Sequence, residues 1–273
     1  MSVLQSILLG IIQGISEFLP VSSSGHLLVL REIMDIDGIP VLYDVLLHVA
    51  TLLVVMWFFR RRIIEICVSL FRLLRRNGSA EDARNGRLAG ILIVGTVFTA
   101  GVGLGVRSLP EFASISWTGF MFLLTAAVLV ASDFLGTRRA GLASSSPASG
   151  GEIRLRSGII AGLVQGLAVF PGLSRSGSTI AATIASGVPR EKAGEFSFLL
   201  SIPAIAGAMV LEIGNMQSLR GLVSPAAVVA GFIAAMLVGY ASLRLLVHLI
   251  KGGKLWVFSL YLVPLALWVL LAL

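Results

Sequence analysis

Six stretches of the chain, about 41–59, 88–106, 117–135, 194–212, 224–243 and 255–272, are apolar and long enough to cross a ~30 Å hydrocarbon core as helices. Two further apolar stretches, about 3–35 and 157–187, are interrupted by Pro20 to Gly25 and by Pro171 to Gly177. Such a central break frees backbone groups that lipid cannot satisfy, so it survives only inside protein or beside water. Each of these two segments is therefore expected to fold as a broken, re-entrant hairpin. The expected fold class is an all-α polytopic membrane protein with six transmembrane helices and two re-entrant helical hairpins.

The two interrupted segments align without gaps at an offset of 152 residues, as from Gly10 to Gly162. Gln13 then pairs with Gln165, Gly14 with Gly166, Phe18 with Phe170, and Ser22, Ser24 and Gly25 with Ser174, Ser176 and Gly177. The chain divides on this reading into a first repeat over 1–135, a cytoplasmic linker over 136–156, and a second repeat over 157–273. One hairpin and three spans per half give an odd number of crossings, so the repeats are expected to be inverted. Their polar site should then lie near the bilayer midplane, where the hairpin tips meet.

Composition changes the picture in two ways. Hydrophobic residues make up 56% and charged residues only 13%, too apolar a balance for an ordinary soluble domain. The formal charge of +7 would suggest nucleic acid in a soluble protein. Here most of it sits in the segments 60–87, 136–156, 188–193 and 244–254, from Arg60 to Lys254, while Arg31, Arg107 and Arg220 fall on the opposite side. This is the positive-inside pattern; no nucleic-acid partner is expected, and both termini are placed outside the cytoplasm. The run from Arg72 to Arg87 is expected to be a cytoplasmic loop touching anionic headgroups, and Ser144 to Gly151 a flexible linker. With Cys67 the one cysteine, a disulfide within the chain and a zinc-type His/Cys cluster are excluded. Met1 to Gln5 carries no basic leader, so the first apolar stretch is read as retained.

The candidate chemistry lies at the two breaks. Gln13 and Glu17, four residues apart, share one helix face. A carboxylate in an apolar segment is expensive and usually marks a functional site; the alternative is a helix-end carboxylate wetted at the surface near Pro20. Ser22, Ser23, Ser24 and Gly25 let backbone approach a ligand and present amides at a helix start, a setting that attracts phosphate. His26 is a candidate nucleophile or proton carrier, or else a hydrogen-bonded packing residue. In the second break Arg175 needs an anionic partner, and its planar fork suits phosphate oxygens. Ser174, Ser176, Gly177, Ser178 and Thr179 can add donors. Arg175 could equally pair with Glu17 and pin the hairpins together. Asp44, His48 and Thr51 form one polar stripe, in which Asp44 could orient His48 as a supporting partner or simply sit at the interface. Glu195 is read as a solvated helix-start residue.

These residues resemble the undecaprenyl-diphosphatase family, also known as the bacitracin-resistance proteins. The resemblance covers nearly the whole chain and rests on Gln13 with Glu17, on Pro20-Val21-Ser22-Ser23-Ser24-Gly25-His26, and on Pro171 to Ser176. It implies an integral phosphatase of the bacterial cytoplasmic membrane that removes the terminal phosphate of undecaprenyl pyrophosphate and so recycles the cell-wall lipid carrier, its site opening outward. Bacitracin would then compete for the substrate, membrane lipids would surround the protein, and a homodimer is an open option. Glu17 corresponds to the essential carboxylate, Ser23 and His26 to the catalytic pair, Arg175 to the phosphate-binding arginine, and Thr179 to the hydroxyl closing the second motif. The resemblance also implies a divalent cation, Mg²⁺ or Ca²⁺, with Glu17 as the residue named for it; Gln13 stands where some members carry a second Glu. Either His26 attacks phosphorus directly, or a serine attacks with His26 as base. A transporter or flippase binding the same headgroup without cleaving it is the competing reading, and a purely structural scaffold a third.

Overall fold

The computed structural model describes every residue except 37, 39, 110–113, 144–151 and 213–221, with the backbone alone for 135–143. The expected linker Ser144 to Gly151 and Arg220 lie outside the described residues. The described chain is all helical, in the order α1 (Val3–Phe18), α2 (Ser23–Ile33), α3 (Val41–Phe58), α4 (Arg60–Leu74), α5 (Ala80–Arg107), α6 (Ile115–Ala143), α7 (Leu155–Leu167), α8 (Arg175–Ala185), α9 (Arg190–Glu212), α10 (Pro225–Gly252) and α11 (Ser259–Ala272). Six of these segments are long and apolar enough to cross a membrane: α3, α5, α6 up to Phe134, α9, α10, and Leu255–Ala272, which joins a short 3-10 turn to α11. Large apolar side chains such as Trp57, Ile93, Val97, Leu237 and Leu271 face outward. The protein is a multi-pass membrane protein.

Both interrupted segments fold as helix, break, helix. α1 starts on a capping box, in which Ser2 Oγ accepts from Gln5 N at 3.1 Å and Gln5 Oε1 accepts from Ser2 N at 2.7 Å. It stops at Phe18, just ahead of Pro20, whose ring would clash with a continuing helix. α7 stops at Leu167, and the chain turns through Gly172, whose φ of +93° lies in the left-handed region.

The stretch 60–87, expected to be a loop, is largely helical. α4 turns Ile66 and Ser69 inward, and Ser69 Oγ accepts from Asn85 Nδ2 of α5 at 2.9 Å. Arg60, Arg61 and Arg72 keep to its exposed face, so the same sequence is both basic and amphipathic. α5 begins as early as Ala80 because Ser79 and Asp82 form a second capping box. α6 likewise continues through 136–143, and α10 runs on to Gly252, where Gly253 at φ +63° closes it in a left-handed cap. Local periodicity and caps carried these helices past the ends that hydropathy alone suggested.

What positions the site is close helix packing through glycine. A Cβ added to Gly10 of α1 would strike the backbone of Gly231 on α10, and one added to Gly14 would come 2.8 Å from Gly239 N. The same arrangement joins α7 to α5: a Cβ on Gly162 would strike Gly95, and Gly166 packs against Thr99 and Val102. Without a side chain between them, the backbones approach closely enough for dispersion to hold apolar helices together in lipid, where water supplies no hydrophobic drive. A central apolar cluster of Phe18, Phe122, Phe198, Leu243 and Leu246 lies beneath the two breaks.

Candidate functional site

The two breaks meet each other. Ser22 sits at φ +72°, a region costly for a residue with a Cβ, and its conformation is held from both sides. Its Oγ accepts from Gly172 N of the second break at 3.0 Å, and its carbonyl accepts from His26 Nδ1–H at 2.7 Å. A Cβ on Gly25 would lie 2.7 Å from Gly172 N, so only glycine permits this approach. From α6, Thr125 Oγ1 donates to the Gly172 carbonyl at 2.8 Å and accepts from Ser174 N at 3.0 Å, which fixes the second turn. Ser176 Oγ donates to the Phe18 carbonyl at 3.1 Å, closing the last turn of α1.

At this junction Glu17 is buried and surrounded by donors. Arg175 Nη2 donates to Glu17 Oε1 in a short ion pair. Glu17 Oε2 accepts from Ser23 Oγ at 2.6 Å and from Gln13 Nε2 at 3.0 Å. Thus Glu17 and Arg175 pair across the breaks, one of the two roles that the sequence leaves open for Arg175. The guanidinium is not exhausted by this contact, because its Nη1 is buried with no hydrogen-bond partner in the protein. A buried donor without an acceptor costs about 1–3 kcal/mol, and an anionic ligand removes that cost.

α2 begins at Ser23 and α8 at Arg175, so two helix N-termini with their positive dipole ends converge here. Ser174 Oγ caps α8 by accepting from Gly177 N at 3.1 Å, whereas the Ser22 side chain makes no cap bond to α2. The first amides of α2 are therefore left for another acceptor. The opening in front of them is about 540 Å³ and touches Glu17, Ser22, Ser23, Ser24, His48, Ser174 and Arg175.

Other sequence candidates stand back from that opening. Thr179 Oγ1 donates to the Arg175 carbonyl at 2.7 Å and also hydrogen-bonds to Ser197 Oγ of α9. Gly177 packs against Pro20, and Ser178 is buried. His26 turns toward α11: its Nε2 accepts from Tyr261 O–H at 2.8 Å, its ring stacks on Tyr261, and Phe122 meets it edge-on. His48 is brought in from α3 instead. Its Nδ1–H donates to the Asp44 carbonyl at 2.8 Å, leaving Nε2 at 3.3 Å from Glu17 Oε2 and 3.5 Å from Ser23 Oγ. Asp44 supports His48 through its backbone, while its carboxylate binds Arg31 Nη2 at 2.7 Å. Glu195 is not merely solvated but accepts from Arg62 Nε at 3.0 Å.

Sequence reasoning missed Thr125 and Tyr261. Thr125 is one of several polar residues in its span, with Thr118, Ser132 and Asp133, and nothing in the sequence singles it out; Tyr261 on an apolar helix gave no signal.

The donor set does not fit a protein-held divalent cation. Among the described residues no three His, Cys, Asp or Glu side chains converge on one point. The one carboxylate at the junction already receives Arg175, Ser23 and Gln13, and a hard cation needs several oxygen ligands.

A family model described as Bacitracin resistance protein BacA matches residues 6–268. The chain is 42% identical over 267 residues to an undecaprenyl-diphosphatase of Treponema denticola, covering 98% of this chain and 96% of that one. It is 36% identical over 268 residues to an undecaprenyl-diphosphatase of Desulfatibacillum aliphaticivorans, covering 94% of both chains. A third protein of that name, from Methanosphaera stadtmanae, is 36% identical over 271 residues, with 96% of this chain and 94% of the other covered.

Proposed function

The chain belongs to the bacitracin resistance protein BacA family, and from that premise we propose that it hydrolyses undecaprenyl diphosphate to undecaprenyl phosphate and inorganic phosphate. The observation that carries the site assignment is Arg175: one guanidinium nitrogen holds Glu17 while the other is buried and open to an acceptor. That fork, together with the uncapped amides of α2, would bind the terminal phosphate and oppose the charge that spreads over its oxygens during transfer.

Ser23 is the nucleophile on this reading. Its hydroxyl already points at Glu17 Oε2 from 2.6 Å, so Glu17 can receive its proton as Oγ attacks phosphorus. The bond to the bridging oxygen breaks and undecaprenyl phosphate departs. Water then cleaves the phosphoserine, and phosphate leaves. His26 contributes by locking the turn at Ser22. Mg²⁺ or Ca²⁺ would have to rely on the diphosphate's own oxygens.

The two halves are proposed to be an inverted repeat with re-entrant hairpins. Support comes from α1 and α7, whose 16 and 13 residues rise about 24 and 20 Å, short of a ~30 Å core. It also comes from the matching seams, in which Gly10 and Gly162 each press against a glycine of the other half, Gly231 and Gly95. The arginine distribution supports an outward-opening site in the bacterial cytoplasmic membrane with both termini outside. Lipid contacts, competition by bacitracin and a homodimer belong to the same proposal through the family.

The test is phosphate release from undecaprenyl diphosphate by purified wild type and Arg175→Ala in detergent. Release by the wild type that the variant loses supports a phosphatase using this site. The repeat keeps a flippase reading alive, and a folded wild type that releases no phosphate would favour it.

A further inference from the structure

The opening in front of Glu17 and Arg175 reaches Arg107 at the end of α5, whereas a second cavity, of about 450 Å³, borders Glu81, Arg84, Arg87 and Leu88 near its start. Its other walls come from Arg62 of α4, from Glu152 and Ile153 ahead of α7, and from the first turns of α9. From Leu88 to Arg107 the helix rises about 29 Å, close to the thickness of a hydrocarbon core, so the two spaces belong to opposite membrane faces. The arginine distribution puts the second one on the cytoplasmic side.

Part of its charge is met within the protein, since Arg62 Nε donates to Glu195 Oε1 at 3.0 Å. Four other charges are not. The guanidiniums of Arg84 and Arg87, three residues apart and so neighbours on α5, make no hydrogen bond or ion pair with a described residue, and neither do the carboxylates of Glu81 and Glu152. Two cations and two anions thus line one cavity without neutralising each other. Beside them Leu88 is buried and Ile153 is half-buried, where the apolar run of α5 begins. The cavity is therefore charged on one wall and apolar on another, at the depth where lipid headgroups give way to acyl chains.

We propose that this cavity binds the headgroup of a zwitterionic aminophospholipid of the inner leaflet, its phosphate on Arg84 and Arg87 and its ammonium against Glu81 and Glu152. A guanidinium pair suits phosphate oxygens, and the two carboxylates supply the opposite charge that an amine needs. A purely anionic headgroup, or free phosphate, would satisfy the arginines but set its own charge against the two carboxylates. Water can solvate the four side chains one at a time; a headgroup that carries both signs meets them together. The site depends on the multi-pass fold and not on the diphosphatase reading.

The experiment titrates the delipidated full chain in detergent with phosphatidylethanolamine, phosphatidylglycerol or soluble glycerophosphoethanolamine, and counts bound molecules by native mass spectrometry. The wild type is expected to bind phosphatidylethanolamine about tenfold tighter than phosphatidylglycerol. Arg84→Gln combined with Arg87→Gln should weaken phosphatidylethanolamine about tenfold, and Glu81→Gln combined with Glu152→Gln should remove the preference over phosphatidylglycerol. Arg60→Gln combined with Arg61→Gln removes the same charge from exposed positions of α4 outside the cavity and should leave binding unchanged. All of these substitutions are at exposed side chains, so unfolding midpoints without lipid should match the wild type. Phosphatidylglycerol bound as tightly as phosphatidylethanolamine by the wild type, or an equal loss in the α4 variant, would overturn the proposal. Glycerophosphoethanolamine bound as tightly as the lipid would overturn the membrane as the source of the headgroup.

Discussion

Glu17 and Arg175, 158 residues apart in sequence, form an ion pair at the point where the end of α1 meets the start of α8. Each sits in an otherwise apolar segment, and each supplies the opposite charge to the other. The pair therefore joins the two halves and presents the guanidinium to the opening.

Removing one partner leaves the other buried and unpaired, which costs on the order of 3–5 kcal/mol. Arg175→Ala is expected to lower the thermal unfolding midpoint, and Glu17→Gln in the same chain to restore much of it, because the stranded carboxylate is gone. Phosphate release should stay about a hundredfold or more below wild type in both. Equal instability of the single and double variants would contradict a direct pairing energy; a double-mutant cycle by thermal denaturation measures it.

An acid-quenched reaction with labelled diphosphate should trap phosphate on Ser23. Phosphoserine survives acid and phosphohistidine does not, so peptide mapping after acid quench distinguishes the two. Label recovered on His26 under alkaline quench would reverse the assignment of the nucleophile.

His48 touches Glu17 and Ser23 from α3. His48→Ala should lower kcat about tenfold or more, since a misplaced reacting group is costly even at small displacement. His48→Gln, whose amide can still reach Glu17, should keep much more of the wild-type rate. Equal loss in both variants would mean that the imidazole does more than hold the carboxylate.

His26→Ala removes both the hydrogen bond to the Ser22 carbonyl and the ring stack on Tyr261. Tyr261→Phe removes only the hydroxyl and keeps the stack. Turnover should fall further in His26→Ala than in Tyr261→Phe, as initial rates of phosphate release will show.

Gly10→Ala and Gly162→Ala each force a Cβ into a facing backbone and should destabilise by about 1–3 kcal/mol. Gly90→Ala and Gly101→Ala lie on α5 with nothing within 4 Å of an added Cβ. Those two should be neutral or slightly stabilising, by up to about 1 kcal/mol from helix propensity. Unfolding midpoints of the four variants in one detergent make the comparison.

The six membrane-spanning segments, the positions of the two breaks and the candidacy of Gln13, Glu17, Ser23 and Arg175 were legible in the sequence. The physical reason is local: hydropathy reports the solvent a segment needs, Pro and Gly stop helices, and a charge in an apolar run demands a partner. The helical state of α4 was also written locally in its periodicity, and the early start of α5 in Ser79 and Asp82, but a basic run reads first as a loop. What only the tertiary structure decided was which side chains meet. His26 and His48 look alike as isolated histidines, yet the rotation of α2 sends the first to Tyr261, while α3 carries the second to Glu17. Thr125 became the clamp on Gly172, and the spacing of Gly95 and Gly103, repeated at Gly231 and Gly239, became two helix seams, because packing aligned each with a partner far away in sequence. Contacts of that kind depend on the relative rotation and depth of whole helices, which the nonlocal packing of the bundle fixes and no single segment encodes.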